Sequence, residues 1–89
     1  MNPRTRVEEL RSLLTARFSP VRLEIMDDSA SHAGHAGARE GGHYRVNIVA
    51  EEFRGRRRVE SHRLVYDAVA QLMGRGIHAL SIDARAPDP

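Results

Sequence analysis

The chain has no cysteine, no lysine and no tryptophan. Without cysteine it forms no disulfide and offers no thiolate nucleophile. A self-contained zinc finger and a four-cysteine iron–sulfur site are excluded for the same reason. Any metal chemistry must run through histidine, carboxylate or a partner. All fourteen basic residues are arginine, set against twelve acidic ones, and a net charge of +2 is too mild to argue for a polyanionic partner. Aromatics are equally scarce, with two Phe and two Tyr, so the core must be built from Leu, Val, Ile and Ala. No apolar run approaches the ~20 residues of a membrane span. The amino terminus shows no signal-peptide core, and Glu8 and Glu9 argue against a transit peptide, so a soluble cytoplasmic protein is expected. Walker, GxSxG and HExxH motifs are missing, and Asp27, Asp28, Glu51 and Glu52 form no recognisable acid–base dyad. A non-enzymatic role is expected.

Eighty-nine residues suit a single domain, 1–89, with a thin core. Asn2 can cap a helix that begins at Pro3 and lays Val7, Leu10, Leu14 and Phe18 on one face, ending at Ser19-Pro20. Val21, Leu23 and Ile25 then alternate with polar neighbours as a strand. The Gly, Ala and Ser-rich stretch 29–42 has no periodicity and reads as a long flexible loop. Tyr44, Val46, Ile48 and Ala50 mark a second strand, paired antiparallel with the first. Leu64, Val65, Ala68, Val69 and Leu72 recur at helical spacing, closed by Gly74-Arg75-Gly76. A last strand over 77–85 places Leu80, Ile82 and Ala84 on one side, and parity puts His78 with them. Residues 86–89 read as a frayed tail. The order αββαβ gives an α+β sandwich, a three-stranded mixed sheet with helices on one face.

A strand, a helix and a further strand of the same sheet normally make a right-handed crossover between parallel strands. The beginnings of the second and third strands then share one sheet end, and the 29–42 loop hangs there too. His78, His43, His32 and His35 therefore gather at one edge, while His62 in the helix lies apart. Grouped imidazoles suggest a metal. Taken singly, His78 reads as well as a hydrogen-bonded edge residue, His43 falls on the polar, exposed parity, and His32 and His35 read as solvated loop residues. Two histidines cannot complete a tetrahedral site, so a metal site would be open or shared.

Arg54, Arg56, Arg57 and Arg58 around Gly55 suit a phosphate, and equally a solvated turn before a helix. Phe53 is expected to anchor that turn in the core, and Tyr66 to pack.

His62-Arg63-Leu64-Val65-Tyr66 and His78-Ala79-Leu80, with residues 23–37 and 43–49 in consistent order, resemble the BolA family. The resemblance covers about the last three quarters of the chain. It implies a fold similar to a type II KH domain. It also implies pairing with a monothiol glutaredoxin and a shared [2Fe-2S] cluster. The glutaredoxin would supply a cysteine and a bound glutathione thiol. This chain would supply His78 and a loop residue, for which His32 is the better match and His35 the second. Partner contacts would include His62 and Tyr66, and the chain alone would be a monomer or weak homodimer. A DNA-binding regulator using Arg54, Arg56, Arg57, Arg58 and Arg63 is the alternative, and a free zinc or copper site of the same histidines a third. Ser61 stands where such proteins usually carry arginine, and the turn lacks the GxxG with which KH domains clamp nucleotides.

Overall fold

A computed structural model describes residues 3–28 and 41–88. Helix α1 runs Pro3–Phe18, strand β1 Arg22–Asp27, strand β2 Gly41–Val49, helix α2 Arg58–Ala68 and strand β3 Gly76–Arg85. A 3₁₀ turn, Glu51–Phe53, precedes α2, and another, Ala70–Leu72, follows it. The sheet order is β1-β2-β3, with β1 antiparallel and β3 parallel to β2. The expected α+β fold with its mixed sheet is therefore the observed one. The expected capping residue Asn2 and the loop residues 29–40 lie outside the described residues.

Alternation decides which sheet face is covered. Tyr44, Val46 and Ile48 of β2 are buried, their β3 partners Leu80, Ile82 and Ala84 lie beside them, and Leu23 and Ile25 of β1 complete the face. Against it pack Leu10, Leu14 and Phe18 of α1 and Val65 of α2, with Val69 and Leu72 following. Arg22, Glu24, Arg45, Ser81, Asp83 and Arg85 take the opposite, wet face. Phe53 does anchor its turn: its ring lies 5.0 Å from that of Phe18, centre to centre, a contact adding about 0.5–1.5 kcal/mol beyond burial. Arg17 reinforces that junction by gripping Glu52 at 2.7 and 2.6 Å.

Two sequence expectations shift. Val21, read as part of β1's apolar row, is 71% exposed and precedes the strand, where Ser19 (φ 45°) and Pro20 redirect the chain. The second helix stops at Ala68, because Val69 leaves helical geometry at φ −114°, ψ 14°, and the chain tightens into a 3₁₀ turn. Leu72 still reaches the core, and Gly74, at φ 78°, turns the chain back so that its amide donates to Ile77 O at 2.9 Å.

Candidate functional site

Because β2 and β3 are parallel, Gly41 and Gly76 begin them side by side. The chain leaving β1 through Asp28 departs from the same end, where the Asp28 amide donates to His43 O at 2.7 Å. One rim of the sheet therefore gathers the start of β2, the start of β3 and the exit of β1, as the expected chain direction requires.

At this rim β3 contains one residue too many. Gly42 pairs with Ile77 and His43 with Ala79, so His78 is the extra residue of a bulge, an uncommon feature between parallel strands. The bulge changes the parity of everything before it. Ile77 turns inward and is fully buried, as Leu80 is beyond it, and His78 turns out and is exposed. A strict period of two, which puts His78 on the apolar side, fails here because Ile77 has taken the inward place. The His78 ring comes to rest 5.2 Å from that of His43, centre to centre and tilted 50°. His43, read from its parity as an exposed residue, is instead half-buried with Nε2 shielded from solvent. His32 and His35 lie outside the described residues. Among the described residues no third His, Cys, Asp or Glu joins the pair in a cluster able to hold a metal ion.

The floor of the rim is charged. Arg6, 7% exposed, points from α1 toward Gly76 and bonds both oxygens of Glu9 at 3.1 Å. Gly76 has φ 120°, and a Cβ built there would overlap the Arg6 guanidinium. Glycine is thus required twice over, by conformation and by close approach. Burial pushes the neighbouring Tyr44 phenol above its usual range, the Asp27 charge adds to this, and Arg6 offsets part of it. The sequence held a signal for Arg6: it sits four residues before Leu10 in the row Arg6, Leu10, Leu14, Phe18, which faces inward.

The arginine turn is half neutralised, with Arg54 and Arg57 ion-paired. Arg54 is paired with Glu51 and also donates to Pro87 O at 2.9 Å. Arg56 gives Nε to Glu52 O at 2.7 Å, and Arg57 contacts Glu60 at 3.3 Å. Hydrogen bonds from Arg54 and from the Arg57 backbone hold the Glu51 and Glu60 carboxyls, respectively, below their ordinary range. Arg58 and Arg63 make no ion pair among the described residues. On α2, Tyr66 donates its hydroxyl to Leu80 O at 2.8 Å, while its ring stays 39% exposed near Val59, 49% exposed and seven residues earlier. His62 lies on the same helix, at the end of the sheet remote from His78, beside Asp83 and Arg85.

Residues 14–89 match the BolA-like protein family. The chain belongs to that family. The plant protein BOLA1, chloroplastic, of Arabidopsis thaliana is 40% identical over 86 residues, covering 92% of this chain and 54% of that protein. SufE-like protein 1, chloroplastic/mitochondrial, of the same plant is 39% identical over 84 residues, 88% of this chain but 23% of that protein. This BolA-like chain thus spans about half or less of these two relatives. The solved BolA domain of SufE1 superimposes with a TM-score of 0.83 at 41% identity, covering 93% of each chain. The Escherichia coli (strain K12) protein called DNA-binding transcriptional regulator BolA is 37% identical over 75 residues, 84% of this chain and 70% of that protein. Of these relatives, BOLA1 carries the BolA name and the Escherichia coli protein that of a transcriptional regulator. No helix among the described residues is long and apolar enough to cross a membrane.

Proposed function

We propose that this BolA-like protein is a cytoplasmic, non-enzymatic adaptor that docks its histidine rim on a monothiol glutaredoxin and shares a [2Fe-2S] cluster with it. The observation that carries the reading is the bulge, which exposes His78 beside His43 at the rim from which the β1–β2 connection departs. Two imidazoles on one tetrahedral metal, bonded at about 2.0–2.1 Å, have ring centres roughly 5 Å apart, the separation this pair already has. His78 is the constant ligand in this proposal, and the second imidazole is His32, His35 or His43. The partner's cysteine and its glutathione thiol hold the other iron. Neutral imidazoles in place of thiolates lessen the negative charge of such a cluster and raise its potential. His62 and Tyr66, exposed in part on α2, form the contact surface of the cluster-free complex.

The test is reconstitution of the two proteins with iron, sulfide and glutathione, followed by visible spectroscopy. His78→Ala is expected to abolish the shared-cluster spectrum. His43→Ala, compared with His32→Ala/His35→Ala, identifies the second ligand. A spectrum unchanged by all of these variants refutes the assignment.

Duplex DNA is a second reading, favoured by the name of the Escherichia coli relative. The ion pairs around the turn engage Arg54 and Arg57 and leave Arg56, Arg58 and Arg63 as the available cations of the five arginines. Three phosphate contacts predict a slope of log K against log salt of about −2.7. Retardation assays across salt concentrations measure it, and no retardation at low salt removes the reading.

A further inference from the structure

At the end of β3 remote from His78, the strand and the arginine turn bound a cleft of about 560 Å³. Phe53 and Ile82 give it an apolar floor, Arg56 and Arg58 stand on its walls with His62, and Asp83 and Arg85, whose side chains belong to the opposite sheet face, border it along the edge of β3. Asp83 is the one carboxylate among the lining residues. Arg58 makes no ion pair among the described residues, and Arg56 commits Nε to a backbone carbonyl, Glu52 O, so neither charge is paired with a carboxylate.

The informative residue is Ser61. It lies on the inward row of α2, four residues before Val65, and is 3% exposed. Apolar side chains fill the rest of that row, yet here a hydroxyl lines the cleft. Its hydroxyl makes no hydrogen bond among the described residues and is not sealed from solvent, so it is open to the cleft. A small polar residue leaves the floor open and supplies a donor. The first turn of α2 begins alongside at Arg58 and Val59, while the Glu60 amide is taken by Arg57 O at 3.0 Å and the Glu60 carboxylate caps the Arg57 amide at 2.9 Å.

We propose that this cleft binds a phosphomonoester of nucleoside monophosphate size. Two arginines with no carboxylate partner, an imidazole and a hydroxyl line one cleft, which suits the acceptor oxygens and double charge of a terminal phosphate better than a carboxylate. The volume exceeds what a bare phosphate fills and falls within the range of small-molecule sites. The apolar floor takes the flat body of the ligand. The cleft is independent of the histidine rim, so failure of either proposal leaves the other standing.

The probe is adenosine 5′-monophosphate, titrated into the full chain and followed by amide chemical shifts, with adenosine as the control. Shifts confined to Phe53–His62 and Ile82–Ala86, with no response to adenosine, are expected. Arg56→Gln/Arg58→Gln is expected to weaken binding at least about tenfold, since two charge-assisted contacts are lost. Ser61→Ala, which keeps a small side chain, is expected to weaken it less, and thermal melting verifies that both variants fold. A short oligonucleotide with a 5′-phosphate, compared with its 5′-hydroxyl form, separates the two sources of the group. Preference for the phosphorylated end supports a terminal phosphate. Equal binding of both forms, with shifts spreading to Arg54, Arg57 and Arg63 and none caused by the mononucleotide, indicates a duplex or strand surface and overturns the proposal. Absence of shifts at millimolar mononucleotide, or affinity unchanged in the double variant, overturns it as well.

Discussion

His78 lies against His43, ring centres 5.2 Å apart, although the ladder pairs His43 with Ala79. The contact exists because one residue of β3 has no counterpart on β2. It brings together two imidazoles that lie thirty-five positions apart in the chain. The same irregularity turns Ile77 into the core, so the rim's chemistry and the core's packing depend on one feature.

Adjacent substitutions therefore differ sharply in cost. Ile77→Ala empties a fully buried site and is expected to lower stability by about 2–5 kcal/mol. His78→Ala removes an exposed side chain and is expected to stay within about 0.5 kcal/mol. Urea unfolding of the two variants checks the contrast. Equal costs would mean that parity does not change at the bulge.

Gly76 predicts a coupled pair. Gly76→Ala meets both an unfavourable φ of 120° and the Arg6 guanidinium, and is expected to lose on the order of 1–3 kcal/mol. Arg6→Ala removes the overlap and leaves the backbone conformation. In the double variant the loss is expected to be smaller than the sum of the two single losses. Strict additivity would show that the arginine simply moves aside.

Acid sensitivity has a specific source in the clamp between α1 and the turn before α2. The hydrogen bond from Arg17 holds the Glu52 carboxyl below its ordinary value of 4.5, helped by the charges of Arg17 and Arg56 and opposed by desolvation. A carboxyl depressed in the folded state stabilises above its unfolded value, and that contribution vanishes as pH falls through the folded value. Glu52→Gln is expected to lower Tm near neutral pH and to flatten its fall below about pH 4.5, because the variant has no such proton to take up. Melting curves along a pH series test this. The wild-type and variant curves are expected to converge at the acid end, and a constant offset would assign the acid loss to other groups, such as Glu51 and Glu60.

Regular periodicity carried the fold. Leu10, Leu14 and Phe18, then Tyr44, Val46 and Ile48, then Val65, Val69 and Leu72 all face inward as their spacing requires. Chain order alone set β3 parallel to β2 and so brought His78 to the rim with the start of β2. What spacing could not convey were the places where a period breaks. The bulge inserts a residue without any composition signal, so a strict period of two puts His78 on the wrong side, although chain order does gather it with His43 at one edge. The neutralisation of the arginine turn was equally hidden. The runs Glu51-Glu52 and Arg54–Arg58 are both visible, but only the 3₁₀ turn folds one back onto the other. Arg6 shows the opposite case, a charged residue in an apolar register that sequence reading passed over.

The ladder treats His78 as a guest. Were that residue excised, Ile77 and Ala79 would face Gly42 and His43 as unbroken neighbours, and every inward side chain of the strand would keep its seat. This architecture can acquire or shed its outward imidazole by the gain or loss of a single codon, with the hydrophobic interior none the wiser.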